Sequence, residues 1–204
     1  ANRPDRNIAL SGVGGENLRG QGLQSLFDPS EIALMGITAI LAKLPRLISL
    51  IGRTAAHIVA EKPDCLITTD NPDFTHRVAR KVRSADPSIP IINYVCPSVW
   101  AWRPGRAKAM ASYIDHVLAI LPFEPRVLSE LDGPPATFVG HRLAQDARIL
   151  EAADDQSRRE AMRQAGGRKT ILVLPGSRGG EVRRHAQVFG ETLGLLKQRG
   201  MELE

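Results

Sequence analysis

Short strand-like runs alternating with helical patterns place this 204-residue chain in the α/β class, as a parallel sheet with helices on both faces. Two further observations support that class. The hydrophobic fraction of 43% and charged fraction of 24% are ordinary for a globular protein. Strand-like runs also pass directly into loops rich in Gly, Pro or Asn, as at Gly12-Val13-Gly14-Gly15, Asp70-Asn71-Pro72 and Pro175-Gly176. In such sheets ligands bind at the carboxyl ends of the strands, which ranks the loops as candidate sites.

In chain order, residues Asn7 to Ser11 read as a short strand running into Gly12-Val13-Gly14-Gly15, followed by a helix to Gly20 or Gly22. A helix across Leu47 to Ala60 leads into a second strand, Asp64 to Thr69. Phe74 to Arg83 reads as a helix with a basic outer face, and Ile89 to Val95 as a third strand. A short helix over Arg103 to Tyr113, a strand at Val117 to Leu121 and another at Thr137 to Val139 follow. Leu143 to Gly167 is charged and reads as a helical linker that closes the first domain. Thr170 to Leu174 then starts a new strand, Pro175 to Glu181 a glycine-rich turn, and Val182 to Gln198 a helix. A single βα unit cannot bury its own core, so the second domain is expected to be cut short. The start, with neither Met nor a clear first strand, is likewise expected to be incomplete.

Net charge is +5, and arginine greatly outnumbers lysine. Guanidinium groups suit bidentate recognition of phosphate or carboxylate. A 4% aromatic fraction argues against a stacking platform for single-stranded nucleic acid. Cys65 and Cys96 form neither a disulfide framework nor a zinc quartet, and read as free thiols in a reducing compartment. The five histidines show no metal-ligand spacing, so no metal site is expected. With no signal peptide and no uncharged span of about twenty residues, a cytoplasmic protein is expected.

The segment Tyr94 to Arg106 carries both tryptophans of the chain, Trp100 and Trp102, beside Arg103 and Arg106. This pattern suits stacking on a sugar or base with a held phosphate, and equally a tryptophan pair capping a core edge. Asp70-Asn71-Pro72-Asp73 ends the second strand. Asp73 is placed to cap the next helix, while Asp70 is the better candidate for a general base. Gly176-Ser177-Arg178-Gly179-Gly180, between a strand and a helix, can bring backbone N–H groups to an anion, or can be an ordinary turn. It matches neither the P-loop nor the dinucleotide pattern, and Gly12 to Gly15 is weaker still. Ile37, Ile40, Leu41, Leu44, Leu47 and Ile48 recur at helical spacing, with Lys43 and Arg46 interleaved and Pro45 interrupting or restarting the helix. Core packing and an apolar edge facing acyl chains or an anionic bilayer both fit that stripe. His141, after Gly140, is placed to face a cleft.

Taken together, these segments resemble the lipid-A-disaccharide synthases, bacterial glycosyltransferases that join two acylated glucosamines. The matching residues are Leu34 to Ile37, Thr69 to Phe74, Tyr94 to Arg103, Leu121 to Glu124, Phe138 to His141 and Leu174 to Val182. Cys96 stands where serine is usual in this family, and Arg142 where proline is common.

The resemblance implies a GT-B architecture of two Rossmann-like lobes, the second incomplete here. Residues 1–166 would be the acceptor lobe with its linker helix, and 167–204 the opening βα unit of the nucleotide-sugar lobe. It implies transfer of 2,3-diacylglucosamine from UDP to the 6-hydroxyl of 2,3-diacylglucosamine 1-phosphate, forming a β-1,6 disaccharide with inversion and without metal or cofactor. Asp70 is then the base. Asn71, Ser98, Trp100, Trp102, Arg103, His141, Gly176, Ser177 and Arg178 bind substrate, and the stripe from Ile37 to Ile48 takes acyl chains or docks on the inner membrane of a Gram-negative bacterium. A homodimer is compatible with this picture, nucleic acid is not an expected partner, and the chain alone is expected to be inactive. Another GT-B nucleotide-sugar enzyme such as an epimerase would share the fold without needing the apolar stripe. A non-catalytic nucleotide- or nucleic-acid-binding module would instead show a steep salt slope on duplex DNA.

Overall fold

The computed structural model describes residues 8–32, 37–164, 171–177 and 179–201. Two compact units divide the chain, Ala1–His141 and Arg142–Glu204.

The first unit is built on a parallel four-stranded sheet in the order β1-β2-β3-β4. The strands are β1 (Leu66–Thr69), β2 (Ile91–Tyr94), β3 (His116–Ala119) and β4 (Ala136–Phe138). Register pairs Leu66 with Ile91, Ile92 with His116, and Val117 with Ala136. The helices are α1 (Glu16–Arg19), α2 (Ile37–Glu61), α3 (Pro72–Ala85), α4 (Gly105–Met110) and α5 (Glu124–Glu130). The expected α/β alternation with a parallel sheet is therefore present, Rossmann-like in its connections.

The core lies between the helices and one face of the sheet. Ile91, Val117 and Ala119 point into it with the polar Thr68 and Asn93, against Leu50, Ile51, Val78, Val82, Met110 and Leu128. The opposite face is open by comparison: Ile67 is 63% exposed, and Ile92, Tyr94, His116 and Leu118 are half-buried. Two covered faces were the expectation. A monotonic strand order with right-handed crossovers sends successive connecting helices to the same side, which leaves the other face less covered among the described residues.

The strand expected at Asn7–Ser11 does not form over residues 8–11, and Asn7 lies outside the described residues. Ile8 and Leu10 are exposed, and among the described residues the only ladder contact nearby is an isolated bridge from Gly12 to Ser25. Without a neighbouring strand, an extended run has no partner for its backbone groups. Gly14 is packed rather than open: a Cβ there would lie 2.4 Å from Leu23 Cδ2 and 2.7 Å from Leu18 Cδ1.

Pro45 lies inside α2, which neither stops nor restarts there. Pro45 is exposed, and Leu50, Ile51, Ala55 and Ile58 on its carboxyl-terminal side anchor the helix on the core. Asp73 is not the cap of α3. The helix begins two residues earlier, with Pro72 in its first turn and Asn71 at the cap position.

The second unit contains a 3-10 turn at Arg142–Gln145, α6 (Ala147–Gln164) and α7 (Gly179–Gln198). Thr170 lies outside the described residues, and residues 171–174 do not form the expected strand. Leu172 and Leu174 are exposed, and no described residue pairs with them. An apolar run becomes a strand only where a partner satisfies its N–H and C=O groups.

Candidate active site

Of the six described non-glycine residues with positive φ, four follow β1 and β2, the other two being Lys62 and Asp132. Asp70 and Asn71, directly after β1, have φ of 50° and 37°, and Val95 and Arg103, after β2, have φ of 72° and 55°. Left-handed φ is uncommon for non-glycine residues and a genuine outlier for a β-branched one such as Val95. Each such residue costs on the order of 1–3 kcal/mol, and such strain collects at functional sites.

Named hydrogen bonds hold the first loop. Thr75 Oγ1 donates to the Asp70 carbonyl at 2.9 Å and to the Asn71 carbonyl at 3.1 Å. Asn71 Nδ2 donates to the carbonyl of Ile32 at 2.9 Å. Asp70 itself is exposed, so its carboxylate is open to a ligand, whereas the Asn71 side chain is committed to the scaffold.

The second loop is pinned by buried Cys96 and Val99, while Trp100 and Trp102 stay 38% and 67% exposed. The backbone N–H groups of Ala101 and Trp102 donate to the Ser98 carbonyl at 3.1 and 3.0 Å, and the exposed Ser98 lies at this turn. Trp100 meets Phe123 edge to face with centroids 5.1 Å apart, and the Arg103 guanidinium lies 4.3 Å from the Trp102 ring centroid. These tryptophans form an exposed aromatic surface with a cation above it, not a core cap. Such a surface suits the apolar face of a sugar beside an anionic substituent. Arg106 is bound instead to Asp73, with Nη2 donating to Oδ1 at 3.2 Å.

A third loop, after β3, is built on Glu124. This carboxylate is buried, and its Oε2 accepts the backbone N–H groups of Ile120 and Leu121, each at 2.9 Å. Burial, then the nearby Glu124 carboxylate, pushes the Cys96 thiol up to about 12, so it stays protonated. After β4, Gly140 has φ of 83° and is followed by half-buried His141.

In the second unit, Gly176 has φ of 108°, and a Cβ there would lie 2.6 Å from Glu181 Oε2. The Ser177 N–H already donates to that carboxylate oxygen at 3.2 Å, so an anion at this turn would compete with Glu181. Arg178 lies outside the described residues, as do residues 34–36 and the side chains of Ile37, Ile40 and Leu41. Further along α2, Leu44 and Ile48 are exposed, Leu47 is half-buried against the core, and Arg46 is paired with Glu31 at 2.8 Å.

Among the described residues no group of three or more His, Cys, Asp or Glu is arranged to hold a metal ion. A groove of ≈ 730 Å³ opens between α2 and α3, but no strand-end residue lines it. The sequence assigns no role to Thr75, His76, Asn93, Val95 or Glu124, although Val95 and Glu124 lie in segments that carry the family resemblance and Asn93 is a polar residue inside an otherwise apolar strand.

Fold and site thus define a parallel α/β protein of Rossmann-like type, with strained loops at the carboxyl ends of adjacent strands. The profile of the Lipid-A-disaccharide synthetase family matches residues 1–204, and the chain belongs to that family. It is 50% identical over 198 residues to a lipid-A-disaccharide synthase of Rhodopseudomonas palustris, covering 97% of this chain and 49% of the relative. A Nitrobacter winogradskyi protein of the same name is 49% identical over 199 residues, covering 97% and 49%. One from Ruegeria pomeroyi is 45% identical over 187 residues, covering 92% and 46%. The chain spans about half the length of these curated relatives.

Proposed function

We propose that this chain supplies the acceptor side of a hexosyltransferase that makes the lipid A disaccharide. The observation that carries this reading is Asp70, an exposed carboxylate in left-handed backbone at the end of β1, in a chain of this family. Transfer from UDP-2,3-diacylglucosamine to the 6-hydroxyl of 2,3-diacylglucosamine 1-phosphate needs a base on the face opposite the departing pyrophosphate, and Asp70 takes that proton. The 6-oxygen then bonds to the anomeric carbon as its bond to the UDP oxygen breaks, with inversion. Trp100 and Trp102 receive the acceptor ring, and Arg103 its phosphate. Asn71 and Ser98 shape the loops around it, with His141 at the end of β4.

Charge developing on UDP is met by the Gly176 to Gly180 turn with Ser177 and Arg178, at the start of α7. Residues 1–166 act as the acceptor lobe and 167–204 open the nucleotide-sugar lobe of a GT-B enzyme, and no metal is needed. The apolar stripe from Ile37 to Ile48 takes acyl chains or rests on the inner membrane surface, in line with the exposed Leu44 and Ile48. Among the described residues no helix is long and apolar enough to cross a membrane, which is compatible with peripheral attachment.

The test is direct. The complete protein, incubated with both acylated substrates in the presence of EDTA, is expected to release UDP and form the disaccharide in equal amounts. UDP release without disaccharide, or turnover of the UDP-sugar in the absence of the acceptor, would point to a different nucleotide-sugar enzyme.

A further inference from the structure

Trp100 owes its position to packing. Among the described residues its indole makes no hydrogen bond, and its one aromatic neighbour is Phe123. The backbone beneath it is held separately. Thr68 Oγ1 donates to Asn93 Oδ1 at 2.9 Å, and Asn93 Nδ2 donates to the Val95 carbonyl at 2.9 Å, which fixes where the loop leaves β2. Val99, directly before Trp100, is buried. These contacts set the path of the chain and leave the direction of the Trp100 ring to its neighbour.

The Phe123 and Trp100 rings meet at 88° with centroids 5.1 Å apart, the edge-to-face arrangement that aromatic pairs favour. Both residues are exposed, so the rings are two walls of an open corner and not a core contact. Phe123 stands on a turn that is itself clamped. Pro122 and Pro125 flank the Phe123-Glu124 pair and restrict φ on either side of it. Glu124 is buried, and no described cation pairs with it. A carboxylate taken out of water without a counter-charge is costly unless hydrogen bonds replace its hydration. Here Oε2 accepts the N–H groups of both Ile120 and Leu121 at 2.9 Å, closing the segment between β3 and α5 on which Phe123 sits.

We propose that Phe123 is a positioning residue for Trp100, held in that role by the Glu124 clamp, so that the two rings present a preformed aromatic corner to a ligand at the carboxyl ends of β2 and β3. That the ligand is an acceptor sugar rests on the function proposed above. The holding of Trp100 does not.

The test is hydroxyl-radical footprinting of the complete protein, with mass spectrometry reading the oxidation rate of Trp100 relative to Trp102. Trp102 packs against Arg103 and serves as the internal reference. The parent is compared with Phe123→Leu, Glu124→Ala, Glu124→Gln and the control Val127→Ala, which trims a half-buried side chain of α5 that packs on the core. In Phe123→Leu and Glu124→Ala the ratio is expected to rise about twofold, as Trp100, 38% exposed, approaches the 67% of Trp102. Glu124→Gln keeps an oxygen that accepts both N–H groups and is expected to stay at the parent ratio, as is Val127→Ala. If Glu124 only stabilised α5, Val127→Ala would loosen Trp100 as much as Glu124→Ala. That result, or an unchanged ratio in Phe123→Leu or Glu124→Ala, overturns the proposal. Because Phe123 is exposed, Phe123→Leu decides the question even if Glu124→Ala does not fold.

Kinetics of the same complete protein test the service to a sugar. Phe123→Leu is expected to raise the acceptor KM roughly two- to tenfold, the worth of one aromatic pair, with kcat and the UDP-sugar KM near the parent values. An unchanged acceptor KM contradicts that service. A parent that forms no disaccharide contradicts the function proposed above, while the oxidation ratio still decides the role of Phe123.

Discussion

The Arg106 guanidinium donates to the Asp73 carboxylate at 3.2 Å and so ties the start of α4 to the first turn of α3. The loops that follow β1 and β2 are thereby fastened to each other as well as to the sheet. Arg106 is thus engaged in the scaffold, whereas Arg103 lies over Trp102 on an exposed surface.

These two arginines should therefore behave differently. Arg103→Ala is expected to raise the acceptor KM by roughly 10- to 100-fold, the size of a lost charge-assisted hydrogen bond. Arg106→Ala removes a largely solvent-screened pair worth about 0–1 kcal/mol, and is expected to change KM only a few-fold. Steady-state kinetics of the complete protein with the acceptor varied separate the two.

Glu124 should matter for stability more than its charge suggests. Glu124→Ala strands the N–H groups of Ile120 and Leu121 at the end of β3 and is expected to cost about 2–4 kcal/mol. Glu124→Gln keeps an oxygen able to accept both, and is expected to lose less. Urea denaturation at one pH ranks the two variants.

How much of this was legible in the sequence depends on what held each element. Strands at β1 to β4 could be read because alternating apolar residues and flanking turns encode them locally, and each has a neighbour. The runs at residues 8–11 and 171–174 have the same local pattern but no partner, and local pattern cannot report that. α5 has no clear signal along the chain: Pro125 and the short apolar spacing around Leu128 resemble a loop, although Pro in the first turn favours a helix start. Asp70 and the tryptophans stood out by residue type and position. The roles of Asn93, His76 and Glu124 depend on contacts between residues 20 or more positions apart, or on burial, and neither has a signature along the chain. Asp73 showed the reverse problem: its spacing fitted a cap, but Arg106 recruits it.

Cysteine reactivity follows from burial. With its thiol pushed up to about 12, Cys96 is expected to resist iodoacetamide at pH 8 in the folded protein and to react once urea unfolds the chain. Half-buried Cys65, whose thiol is also raised by burial, should react slowly and first. Mass spectrometry of peptides labelled before and after unfolding reads both.

His76 gives a pH dependence whose sign can be stated. Burial, then the Arg106 charge, lowers it from 6.5 to about 4. Between those values the unfolded chain binds the proton and the folded protein does not, so falling pH favours unfolding. Its contribution is intact above 6.5 and is lost progressively as pH falls to about 4, a total on the order of 3 kcal/mol. Arg80, Arg106, Asp73 and Tyr113 are the charged or titratable groups facing it, and they are unchanged in His76→Gln. The difference in urea midpoint between pH 7 and pH 4.5 is expected to be smaller in that variant than in the parent.

The central claim is that the Asp70 carboxylate takes the proton of the attacking hydroxyl. Asparagine accepts left-handed backbone readily, so Asp70→Asn removes the charge while keeping the loop geometry. In the complete protein this variant is expected to lower kcat for disaccharide formation by roughly 10²- to 10⁴-fold, with little change in the KM of either substrate. A kcat close to that of the parent would contradict the account.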